Sequence, residues 1–86
     1  MSKIEENLSK LGVTLPDAPA PAANYVPYVV DGNTVYVSGQ ISANDAGLIT
    51  GKLGDGMSVE DGAAAAKSCA ISLLAQLKEA CGGDID

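Results

Sequence analysis

Eighty-six residues, 47% of them apolar but none of them Trp, Phe or His, bury only about 60% of the surface their unfolded chain exposes, too little for a self-sufficient core. Eleven acidic residues against five lysines, with no arginine, give a net charge of −6 and no basic patch for nucleic acid or an anionic membrane surface. The missing histidine removes the commonest general base and the commonest metal ligand.

The chain opens on "MSKIEENLSKLG", which is polar and lacks the apolar centre of a signal peptide. No apolar run is long enough to span a bilayer, so the chain reads as soluble and cytoplasmic. Ser2 and Glu5 fit a capping box, and Ile4, Leu8 and Leu11 follow at helical spacing until Gly12. A short amphipathic helix is expected over about 3–11, which could equally be an arm that docks only on a larger body.

The stretch "VTLPDAPAPAANYVP" carries all four prolines. Proline fixes φ and keeps its predecessor out of the helical region, so an extended arm is expected, either a linker or a strap lying flat on a surface. Next, "YVVDGNTVYVSGQI" places two β-rich runs around Asp31-Gly32, a dipeptide suited to a two-residue hairpin turn. Strands are predicted at about 26–31 and 34–41. In the second strand, Val35, Val37, Gly39 and Ile41 should face one way and Thr34, Tyr36, Ser38 and Gln40 the other. Pro27 cannot donate to a ladder, which puts the start of the first strand on an edge.

The glycine-rich segment "SANDAGLITGKLGDGM" matches neither a phosphate loop nor a calcium loop and is expected to be a connection only. "SVEDGAAAAKSCAISLLAQLKEACGG" carries the strongest helical signal. Ser58 and Asp61 cap it, apolar residues from Val59 to Ala80 recur at three- and four-residue steps, and Gly82-Gly83 terminate it. Cys69 and Cys81 stand roughly 18 Å apart on such a helix, beyond disulfide or shared-metal reach. Both are expected to be small buried hydrophobes, with a reactive thiol the minority reading. One hairpin and one helix do not close a core, and the chain stops where a further strand would be expected. A single domain over 1–86 is predicted, truncated at its C-terminus, with helix and arm over 1–24 and hairpin and long helix over 25–86.

The ordered set "APAPAANYVPYV", "GN", "VYVSGQI" and an alanine-rich helix ending "CGG" resembles the reactive-intermediate deaminase (RidA/YjgF) family. "LPDAPAPAANY" is similar to the branch with an extended N-terminus. The resemblance implies an α/β (α+β) fold of chorismate-mutase-like type, with the present chain matching its N-terminal half. It also implies a homotrimer with ligand clefts between subunits, and hydrolysis of 2-imino and enamino acids to keto acids and ammonia without metal or organic cofactor. On that basis Tyr25 is the substrate-binding tyrosine, with Tyr28 as the nearby alternative, and Gly39 lines the cleft. A missing Cβ would let substrate approach the strand; the competing explanation is that Gly39 relieves crowding against the long helix. The family's carboxylate-clamping arginine and its glutamate belong to the C-terminal half, and lysine is a poor substitute for a bidentate guanidinium. No catalytic residue is therefore assigned here, and the chain alone is expected to be inactive. A non-catalytic oligomeric module binding a small ligand is the rival reading. A ribonuclease, a role attached to some relatives by name, is disfavoured by the negative charge.

Overall fold

The computed structural model describes residues 3–19, 26–44, 47–83 and 85. Among them are two helices and six short strands, a mixed α/β arrangement.

Helix α1 spans Lys3–Lys10, acidic in its first turn and basic in its last, which suits the helix dipole. Gly12, at φ +73°, stops it. The Gly12 N–H donates to the Ser9 carbonyl at 3.1 Å and the Val13 N–H to the Leu8 carbonyl at 2.9 Å, the paired bonds of a Schellman cap. Of the predicted apolar stripe only Leu8 is half-buried. Leu11 falls beyond the helix and is 74% exposed, because the cap turns the chain before its face can be covered. Ser2, the expected N-cap, lies outside the described residues.

From Val13 to Pro19 the arm is neither helix nor strand, with Val13, Leu15 and Ala18 half-buried. Strands β1 (Tyr28–Asp31) and β2 (Thr34–Val37) form an antiparallel hairpin in the register Tyr28–Val37, Val29–Tyr36, Val30–Val35 and Asp31–Thr34. The two-residue loop is Gly32-Asn33, one residue later than the Asp31-Gly32 dipeptide suggests. Gly32 has φ +61° and Asn33 does not share it, the pattern of a II′ turn with glycine first. The second strand is shorter than predicted. The ladder closes with the Ser38 N–H donating to the Pro27 carbonyl at 2.9 Å, after which the chain leaves the sheet. Alternation holds for Val35 and Val37, which are half-buried, and fails at Gly39 and Ile41, which are exposed.

The glycine-rich segment is more structured than a plain connection. Strands β3 (Ala43–Asn44) and β4 (Gly47–Leu48) pair antiparallel, and β5 (Lys52–Leu53) and β6 (Gly56–Met57) pair around a tight turn. Helix α2 then covers Val59–Ala80. The Ser58 hydroxyl accepts from the Asp61 N–H while the Asp61 carboxylate accepts from the Ser58 N–H, the capping box the sequence announces. At the other end Gly82 (φ +72°) and Gly83 (φ +102°) turn the chain, their N–H groups donating to the Glu79 and Lys78 carbonyls. This is a second Schellman cap.

Helix α2 packs on β1, β2 and β3. Among the described residues only Ala75, Gln76 and Ile85 are buried, while Val29 and Tyr36, cross-strand neighbours on the hairpin face, are 51% and 61% exposed. The thin core follows from the composition, in which alanine on α2 offers little apolar area for the hairpin to cover. The cysteines depart from expectation: Cys69 is half-buried, and Cys81 is exposed because it sits at the C-cap of α2 rather than on its packed face.

Candidate functional site

The end of β2 is held to the start of β1 by one residue. The Ser38 N–H and hydroxyl both donate to the Pro27 carbonyl, at 2.9 and 3.0 Å. Pro27, having no N–H of its own, takes part in the sheet only as an acceptor, which suits its edge position. These two hydrogen bonds fix where Gly39 emerges.

Gly39 is exposed. A Cβ built on it meets nothing within 4 Å among the described residues, and its φ lies outside the left-handed range. Two structural reasons for a glycine thus fail here, strain and crowding. In particular, the idea that Gly39 makes room for α2 is overturned, because no atom of α2 lies within 4 Å of that added Cβ.

Gln40 folds back over this backbone. Its Nε2 donates to the Ser38 and Gly39 carbonyls, both at 3.2 Å. Its Oε1 faces Gln76 Nε2 at 3.5 Å, a long contact. Gln76 Nε2 also donates to the Pro19 carbonyl at 2.7 Å. The arm, the post-β2 segment and α2 therefore meet at two amide side chains. Beside Gln40 opens a hollow of about 360 Å³, walled by Ile41, Leu48 and the half-buried Cys69 among others. Ser68, one residue before that cysteine, accepts from the Ala43 N–H at 3.2 Å and ties β3 to α2.

Tyr25 lies outside the described residues. Tyr28, the alternative tyrosine, is half-buried in β1 opposite Val37. Among the described residues no three His, Cys, Asp or Glu side chains converge as a metal ion would require. No helix among them is long and apolar enough to cross a membrane.

The residue that sequence reasoning passed over is Gln76, 1% exposed. Its signal was present: an uncharged polar residue set inside "LLAQL", between positions that pack.

The family model described as "YjgF/chorismate mutase-like, putative endoribonuclease" matches residues 5–85. The chain belongs to the YjgF family. The Trypanosoma cruzi protein TCP17 is 46% identical over 85 residues, which are 98% of this chain and 52% of that protein. The crystal structure of an Agrobacterium tumefaciens protein of unknown function is 42% identical with a TM-score of 0.78, over 95% of this chain and 50% of that one. The crystal structure of a "putative endoribonuclease" from Shewanella oneidensis is 37% identical with a TM-score of 0.81, over 91% of this chain and 52% of that one. The fold is accordingly YjgF-like, of the chorismate-mutase-like type. The chain spans about half the length of each of these YjgF-like relatives.

Proposed function

We propose that the chain forms one wall of a cleft in which a reactive 2-imino or enamino acid is hydrolysed to a keto acid and ammonia. The observation that carries this reading is the space that an added Cβ would find over Gly39, a glycine that neither strain nor crowding among the described residues requires. A ligand can come close to backbone there as it could to no other residue type.

In the reaction water adds to the imine carbon, giving a carbinolamine, and ammonia leaves as the carbonyl forms. Tyr25 positions substrate or water, and Gly39 shapes the wall. The substrate carboxylate calls for a bidentate guanidinium. With five lysines and no arginine, the chain does not supply it, so the clamp comes from residues outside this sequence. The chain alone is then inactive, and the working unit is a cytoplasmic homotrimer with clefts between subunits. The same lack of arginine favours a second reading, a module of this fold that binds a small acid without turning it over.

The word endoribonuclease attaches to the family description and to the Shewanella protein. A net charge of −6 without arginine gives RNA phosphates little to bind, so this activity is not proposed here. The deciding assay follows ammonia release from a freshly generated imino acid by the protein that carries this chain. Release above the rate in buffer supports the enzyme; binding of the acid without release supports the module, and neither result sinks both.

A further inference from the structure

Gln76 is buried to 1% exposure, yet its Oε1 has no hydrogen-bond partner among the described residues. A buried acceptor left unpaired costs stability, and an apolar residue of the same volume would not incur that cost. The helix could carry leucine or methionine there, as it carries leucine at Leu73, Leu74 and Leu77. What the amide provides instead is its Nε2, which reaches the Pro19 carbonyl at 2.7 Å and Gln40 Oε1 at 3.5 Å. Gln40 in turn holds the carbonyls of the peptide bonds before and after Gly39, those of Ser38 and Gly39.

We infer that Gln76 is a positioning residue: a buried amide clasp that orients Gln40, and through it the Gly39 backbone, while holding the proline-rich arm at Pro19. The side chain touches no ligand itself. It fixes the wall that a ligand would meet, at a cost in stability to its own element. This assignment rests on reading Gly39 as the wall of a cleft.

The test uses Gln76→Met, which keeps volume and unbranched shape but removes the donor and the unpaired acceptor together. Backbone NMR order parameters and thermal unfolding are measured on the same protein. Expected for Gln76→Met is melting at or above the unsubstituted temperature, with the order parameter at Gly39 falling from the rigid range near 0.85 to below about 0.6. The hairpin and α2 keep theirs. Gln40→Met should give the same local loosening, and the double variant no more than either single one. A Gln76 that only packs would instead leave Gly39 rigid, or loosen hairpin, helix and Gly39 together as melting falls; either result overturns the proposal. If Gln76→Met does not fold, an unchanged Gly39 in Gln40→Met overturns it equally. No substrate enters these measurements. A loosened Gly39, with no ammonia released by the protein that carries this chain, would leave the clasp standing and remove the enzyme, and the converse pair of results would do the opposite.

Discussion

The Lys78 ammonium lies 3.0 Å from the Glu5 carboxylate, joining the last turn of α2 to the first turn of α1. Both side chains keep solvent contact, 40% and 29% exposed, so the pair contributes no more than about 1 kcal/mol. Lys78→Met removes the charge and keeps the stem along Leu8 and Leu15, with which it lines a shallow groove. Expected is a loss of about 0.5 kcal/mol in urea unfolding at low salt. The difference should shrink as salt shortens the screening length from about 10 Å at 0.1 M to about 3 Å at 1 M. A loss that ignores salt would assign the effect to packing of the stem instead.

Gly82 sits at φ +72° and donates its N–H to the Glu79 carbonyl. An L-residue with a Cβ in that region costs roughly 1–2 kcal/mol. Gly82→Ala should therefore lower the unfolding free energy by that much, and the urea midpoint with it, and fray the end of α2, seen as reduced helical circular dichroism before the main transition. No steric neighbour contributes, since nothing lies within 4 Å of an added Cβ. An unchanged midpoint would mean that the second glycine of the pair takes over the turn.

At Gly62 the two effects oppose each other. It lies within α2, where glycine costs about 1 kcal/mol relative to alanine, but an added Cβ would stand 2.5 Å from Leu53 Cδ2. That contact is to the end of a side chain 63% exposed, which can rotate aside. Helix propensity should win, and Gly62→Ala should stabilise by up to about 0.5–1 kcal/mol. Destabilisation would show that Leu53 is pinned across the start of α2, a role its exposure does not suggest.

Local signals were legible in the sequence because their physics is local. The Ser58–Asp61 cap, the glycine stops of both helices and the hairpin turn each depend on a few neighbouring residues, and each formed where the spacing placed it or within one residue. What could not be read depends on distant chain. Nothing in "VYVSGQI" says that Ser38 will spend both its N–H and its hydroxyl on Pro27 and end the strand early. Cys81 looked buried because periodicity was carried one residue too far, into the cap. Gln76 was passed over because a polar residue on an apolar helix face has meaning only once its partners at Pro19 and Gln40 are known. The YjgF likeness was visible as an ordered set of short motifs, which the family match confirms.

Gly39 offers the sharpest separation of structure from function. Its φ is ordinary and an added Cβ meets nothing within 4 Å among the described residues, so Gly39→Val should change unfolding free energy by no more than about 0.5 kcal/mol, as an exposed substitution does. If the space above it belongs to a ligand, the same substitution fills that space. Imino-acid hydrolysis by the protein that carries this chain should then fall at least tenfold, the effect of about 1.4 kcal/mol in transition-state binding. The two measurements belong on one preparation. A variant as stable and as active as the unsubstituted protein would remove Gly39 from the cleft. A variant that loses stability along with activity would return the glycine to a structural role, through a neighbour supplied from outside this chain. Only a stable variant with lost activity leaves the proposed wall in place.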